Sequence, residues 1–184
     1  RVAEYRSADI EVTDLSTADY IKKENLALIV DRMQRIIDAE APIIYDRLVK
    51  KTLRAFHIAR SSPQTLEATD KALKKVSARM NKQAGCKFYW EQDPDQYRIC
   101  RTETSSGDKR SADEICQQEL KNAVCIALKE KGAQDKESLV KNAIRIMGYA
   151  RSSPALVAAA EKGLKYGKKT GEIVQDEEKR FVLG

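Results

Sequence analysis

One segment of this 184-residue chain occurs twice. The string LVKKTLRAFHIARSSPQTLEATDKALKK, from Leu48, returns 91 residues later, from Leu139, as LVKNAIRIMGYARSSPALVAAAEKGLKY, without a gap. Thirteen of its 28 positions are identical, including an unbroken Ala-Arg-Ser-Ser-Pro. Shared helix-capping chemistry accounts for Ser-Ser-Pro but not for the other identities. The repeat therefore reads as a duplication, and whatever unit the chain folds into must form twice.

The same register extends upstream. Ile29, Met33 and Ile37 correspond to Leu120, Val124 and Leu128, and spacing of four marks one face of an amphipathic helix in each copy. This predicts first helices over 24–39 and 112–131. Second helices are expected over 43–56 and 136–147, with Leu48, Leu53, Phe56 and Leu139, Ile144, Met147 facing inward. The turns HIARSS and GYARSS follow. Gly148 suits a left-handed residue closing a helix, whereas His57 at the equivalent place is less comfortable. Ser62 and Ser153 are N-cap candidates, with Pro63 and Pro154 at the first helical position. The third helices are expected to run to about Lys82 and Lys168.

After copy one, CKFYW and YRICR flank EQDPDQ and predict a hairpin; after copy two, EIV and RFVL predict another. Phe88 and Trp90 are expected to pack in the core, with the opposite face of that wing left for stacking. Helix, helix, turn, helix, hairpin is the order of a winged helix-turn-helix. The expected fold class is mainly α with small β-hairpins (α+β), a tandem winged-helix-like repeat. Its parts are an acidic leader at 1–20, a first repeat at 21–101, a linker at 102–111 and a second repeat at 112–184.

Composition narrows the function classes. The chain is 42% hydrophobic and 34% charged, enough apolar material to exclude wholesale disorder. No run approaches the length of a membrane span. Residues 1–14 carry charges throughout and lack the apolar stretch of a secretory signal, so a cytoplasmic location is expected. The chain begins at Arg1, not Met, and is expected to be a fragment or a processed product. Four cysteines, at 86, 100, 116 and 125, form no C-x-x-C, and His57 is the single histidine. No zinc site or cofactor is expected, and the thiols should be reduced. Cys116 and Cys125 read as small core residues. Cys86 and Cys100 flank the first expected hairpin and would approach one another across it.

Enzymatic readings are weak. There is no phosphate-cradling G-x-x-x-x-G-K-[ST] string. Glu91, Asp93 and Asp95 cluster, but in a turn, where acidic residues are common. Ser61 and Ser62 beside His57 resemble a nucleophile with a base, yet copy two keeps Ser152 and Ser153 while placing Gly148 where His57 stands. Capping is the simpler role.

Charge points to binding. Lys and Arg total 34 against 28 Asp and Glu, a net of +6. Residues 1–20 hold Arg1 and Arg6 against Glu4, Asp9, Glu11, Asp14 and Asp19, so the leader is −3 and the remainder +9. The expected third helix of copy one carries Lys71, Lys74, Lys75, Arg79 and Lys82 against Glu67 and Asp70. That of copy two carries Lys162, Lys165, Lys168 and Lys169 against Glu161, again +3. Spacings of three and four put Lys71, Lys74 and Lys75 on one face, and likewise Lys162, Lys165 and Lys169. Lysines suit phosphate contact more than base readout, which predicts sequence-tolerant, salt-dependent binding to duplex DNA. Arg60 and Arg151, just before the third helices, are the sharpest single residues. Each either reaches a phosphate or ties helices together through a carboxylate (Glu40 in copy one), and the structural role is favoured. The competing reading is a protein–protein or intramolecular interaction module, for which a lysine stripe is merely a wet helix face.

The string Glu40-Ala41-Pro42-Ile43, then Leu48, Phe56, Arg60, Phe88, Trp90, Arg98, Arg101, Glu119, Gly148-Tyr149 and Arg151, resembles an uncharacterised domain near the C-terminus of very large bacterial proteins. Those proteins are similar to superfamily 1 DNA helicases and usually carry a restriction-endonuclease-like segment just before it. The resemblance covers roughly residues 20–184. It implies helicase and nuclease domains of a parent chain as partners, and it implies no activity for the domain itself. His57 departs from the glycine expected there.

Overall fold

A computed structural model describes residues 1–104 and 107–184. Ser105 and Ser106, within the expected 102–111 linker, lie outside the described residues. The chain is α+β, with seven α-helices and three small sheets among the described residues. These residues divide into two compact units, residues 6–93 and residues 94–184 together with 1–5.

The 6–93 unit opens with α1 (Thr17–Tyr20) and a 3-10 turn at Lys23–Asn25, followed by α2 (Leu26–Glu40). A two-residue strand, β2 (Ile43–Ile44), leads into α3 (Tyr45–Arg54) and α4 (Pro63–Leu73). A hairpin of β3 (Arg79–Gln83) and β4 (Cys86–Trp90) completes it. The sheet order is β2-β4-β3, with Ile43 opposite Tyr89. The expected inward positions Ile29, Met33, Ile37, Leu48, Leu53 and Phe56 are all buried in one core. Tyr20 joins them edge-on to Phe56, ring centroids 5.5 Å apart, and its hydroxyl lies 2.6 Å from Thr69 Oγ1. Much of the acidic leader is therefore structure, not an appendage: Thr13 and Leu15 donate backbone hydrogen bonds to the carbonyls of Ala55 and Phe56.

The other unit repeats this order. Its α5 (Gln117–Lys131), α6 (Lys136–Ile146), α7 (Pro154–Thr170), β6 (Ile173–Gln175) and β7 (Phe181–Leu183) follow one another. A bridge from Gln134 to Phe181 stands where β2 meets β4 in copy one, since Gln134 is 91 residues after Ile43. Leu120, Val124, Leu128, Leu139, Ile144 and Met147 share its core. A parallel pair of β1 (Val2–Glu4) and β5 (Cys100–Thr102) is added.

The structure departs from the sequence pattern in two places. The first hairpin is not 86–90 with 97–101. Ala84 and Gly85 both have positive φ (49° and 80°), the two-residue connection whose twist matches antiparallel strands, and it folds β4 back on Arg79–Gln83 instead. YRICR goes elsewhere: its Cys100–Arg101 belong to β5, against β1. Cys86 and Cys100 therefore do not face across a hairpin, and all four thiols are free. Both faces of β4 are also covered, since Phe88, Tyr89 and Trp90 are all buried; no aromatic face remains for stacking.

The second departure concerns the third helix of copy one, which ends at Leu73 rather than near Lys82. The side chain of Gln34 explains the stop. Its Oε1 accepts from the backbone N–H of Ser77 at 2.7 Å, and its Nε2 donates to the Ser77 carbonyl at 3.0 Å. Both backbone groups that a continuing helix would need at Ser77 are thus occupied. Copy two has Cys125 at the corresponding place, and α7 runs on to Thr170.

Candidate nucleic-acid interface

The α7 helix starts as its sequence dictates. Ser153 Oγ accepts from the Leu156 N–H at 3.2 Å, and Pro154 fills the first helical position. Its inner face is built from small groups, with Ala159, Ala160, Gly163 and Gly167 buried alongside Leu156 and Leu164. Gly163 lies against α5 so closely that a Cβ there would fall 2.5 Å from the carbonyl carbon of Leu120. The outer face presents Ala155, Ala158, Lys162, Lys165 and Lys169, all exposed. The single acid on this helix, Glu161, is matched by Lys136 of α6 at 2.9 Å. Lys168 sits 5.7 Å from the Phe181 ring centroid. Among the described residues, Lys162, Lys165 and Lys169 make no side-chain hydrogen bond or ion pair. The three lysines predicted for copy two are thus brought together on one face, unpaired.

Copy one is different. α4 starts equally well, with reciprocal capping between Ser62 and Thr65. But within Pro63–Leu73 it carries Glu67, Asp70 and Lys71, a net of −1 rather than +3. Lys71 pairs with Glu67 at 3.5 Å. Asp70 accepts a 2.7 Å hydrogen bond from the Tyr45 hydroxyl; burial, then this carboxylate, push the Tyr45 phenol well above its ordinary value. Lys74 is the residue closing the helix and Lys75 lies beyond it, while Arg79 and Lys82 stand on β3. The expected stripe of Lys71, Lys74 and Lys75 along one helix is therefore not formed, and Arg79 and Lys82 are not on that helix at all.

The arginines before the third helices are exposed, and neither makes an ion pair or side-chain hydrogen bond among the described residues. The proposed Arg60–Glu40 tie is absent because Glu40 faces the other way. Buried, it accepts from Lys51 Nζ at 2.6 Å and from the Ala8 N–H at 3.0 Å, with Arg47 at 3.8 Å. Arg151 ends up as free as Arg60. The turns before them share a backbone: His57 has φ 58° and Gly148 has φ 89°. The His57 imidazole meets the Asp14 carboxylate.

The densest electrostatic cluster lies away from the lysines and arginines of the third helices. Glu119 of α5 is fully buried and accepts from the Arg101 backbone N–H (2.9 Å), from Arg101 Nη2 (2.8 Å) and from both terminal nitrogens of Arg110 (2.9 Å each). Arg110 also donates to Glu103 at 2.6 Å, and its guanidinium stacks 4.3 Å from the centroid of the Tyr5 ring. Burial alone would raise the Glu119 carboxyl, but the two guanidinium groups outweigh it and hold it down at about 2. With every member buried, this cluster is a clasp inside the unit, not a surface for a ligand. A signal existed: Glu119 sits four residues before Ala123, on the buried stripe of α5.

Among the described residues, no three or more His, Cys, Asp or Glu side chains are placed to hold a metal ion. Among the described residues, no helix is long and apolar enough to cross a membrane. No known family model, curated protein or solved structure matches the chain.

Proposed function

We propose that the chain is a non-catalytic nucleic-acid-binding module, built as a tandem winged-helix-like repeat, that holds duplex DNA by its phosphates beside the helicase and nuclease domains of a larger parent protein. The observation that carries this reading is the unpaired lysine face of α7, with the free Arg151 just before it. Supporting it is the order helix, short strand, helix, helix, hairpin in both copies, with the short strand or bridge pairing with the second strand of the hairpin. In winged helix-turn-helix proteins an order of this kind supplies a third helix and a wing for groove and backbone contact. The parent context rests on the resemblance alone.

A second reading is an interaction module that organises the parent chain or recruits a partner protein. It is favoured by one feature, the Glu67 carboxylate on the exposed face of α4, which a phosphate-binding helix does not need. A salt-titrated fluorescence-anisotropy measurement with random-sequence duplex separates the two. The expected result is binding that weakens steeply with salt and is lost in the double variant Lys74→Glu, Lys165→Glu. Wild-type binding no tighter than that of the variant refutes the DNA reading.

A further inference from the structure

We infer that the two copies have diverged, so that the α7 face of the second copy alone docks on the duplex, in the major groove of B-form DNA, while the equivalent face of α4 does not. This rests on the DNA-binding reading above and narrows it to one surface.

The five outer positions of α7 recur at spacings of three and four, so they form a single stripe. At the 91-residue offset, Ala155, Ala158, Lys162, Lys165 and Lys169 correspond to Gln64, Glu67, Lys71, Lys74 and Ala78. Three of these positions lose something the stripe provides. Where α7 has the small Ala158, α4 has a carboxylate that repels phosphate and also engages Lys71. Where α7 has Lys165 in mid-helix, copy one has Lys74 at the helix end. Position 78 lies past the Gln34–Ser77 clamp, outside any helix. At 1.5 Å per residue, the 17 residues of α7 extend about 25 Å and the 11 of α4 about 16 Å.

The layout of α7 also selects the nucleic acid. Along its first two turns the outer stripe carries only Ala155 and Ala158, and the half-exposed Glu161 beside the stripe is engaged by Lys136, so the backbone can approach the floor of a groove about 12 Å wide. The lysines then stand on the later turns, where long side chains reach the phosphates at the groove edge. A-form RNA has a deep, narrow major groove that does not admit a helix. Duplex DNA is therefore the substrate class, and double-stranded RNA is not.

The test uses the full chain with a labelled random-sequence DNA duplex, binding being followed across salt. Each neutralised phosphate contributes roughly −0.9 to the slope of log K against log salt. One copy, engaging through Arg151, Lys162, Lys165 and Lys169, gives a slope of roughly −3.6. Adding Arg60, Lys71, Lys74 and Lys75 gives roughly −7. The slope should fall near the smaller value. Lys165→Glu with Lys169→Glu should weaken binding more than about tenfold, and Lys74→Glu with Lys75→Glu less than about twofold. Ala158→Glu, which copies the residue of copy one, should weaken binding about as much as the first pair. All five positions are exposed, and unchanged far-UV circular dichroism establishes that the variants fold. A slope near the larger value, or equal losses in the two lysine pairs, overturns the single-copy inference while leaving DNA binding standing. Equal affinity for a double-stranded RNA of the same length overturns the major-groove assignment. Absence of wild-type binding overturns the DNA reading itself.

Discussion

Gly163→Ala tests the close packing on which the α7 face depends. In an unconstrained helix the change stabilises, because alanine is favoured over glycine by about 1 kcal/mol. Here the new methyl would sit 2.5 Å from the Leu120 carbonyl carbon and 2.6 Å from its oxygen. Those atoms are backbone, so relief requires α5 and α7 to separate. Overpacking of this kind costs about 1–3 kcal/mol, and rigid backbone on the far side places it at the upper end. The net expectation is a loss of about 1–2 kcal/mol, or a fall in Tm of about 5–15 °C for a unit of this size. Copy one supplies the converse. Ala72 stands at the matching position and is fully buried, so Ala72→Gly should lower stability by about 1–2 kcal/mol through lost propensity and one lost methyl. Thermal melts of the full chain, followed by far-UV circular dichroism, read both. A rise in Tm for Gly163→Ala would show that propensity wins and that the helices do not approach as described.

Other outcomes follow from the same physics. Glu119→Gln takes the paired carboxylate from the buried Arg101 guanidinium and leaves Arg110 with Glu103 alone, and should cost about 3–5 kcal/mol in a denaturant titration. Because the folded-state pKa of Glu119 is about 2, below its ordinary value, its contribution is fully present above the unfolded pKa. It is lost as pH falls from about 5 to 2. Acid unfolding of the wild type should show that loss, on the order of 3 kcal/mol, and Glu119→Gln should lack it. Gly148→Ala should destabilise by more than about 2 kcal/mol, since a Cβ would lie 2.3 Å from the Glu103 carbonyl oxygen. His57→Gly, at the same backbone conformation, should be neutral or stabilise by up to about 1 kcal/mol; paired melts that give equal losses would contradict this. Burial pushes the Cys100 and Cys116 thiols up to about 12 and Cys125 to about 11. A thiol reagent applied to the native chain near pH 8 should therefore label exposed Cys86 first, and peptide mapping that finds Cys100 modified as fast would contradict the burial.

What could be read from the sequence was what is local and periodic. Helical spacing located the inward residues Ile29, Met33, Ile37 and their counterparts, and Ser-Ser-Pro located the starts of α4 and α7, because the side chain that caps a helix is adjacent to it in sequence. What could not be read was set by distant partners. The end of α4 is decided by Gln34, 43 residues from Ser77, so a basic run continuing to Lys82 looked helical. The aromatic run CKFYW fits either neighbour as a hairpin partner, so its pattern does not select Arg79–Gln83. Only the Ala84–Gly85 turn, whose alanine at positive φ is an unusual residue for that conformation, chose between them. For the candidate site, the lysines of α7 were legible and those of copy one were not, since the difference between them is the helix end. Glu119 drew its partners from 9 and 18 residues away, beyond any local pattern.

The pairing of β1 with β5 makes the 94–184 unit discontinuous along the chain, so the first copy is, in effect, an insertion within the second. During synthesis Val2 must wait for Cys100, its partner, and closing a loop of that length costs about 4 kcal/mol in chain entropy. Three paired residues and the Tyr5 clasp must overcome that cost, so the N-terminal strand should dock late and open early. A cut between Glu103 and Arg110 would divide Arg101 and Glu103 from Arg110 and Glu119. Circular permutation that joins Gly184 to Arg1 and opens the chain near residue 6 would instead make both units continuous.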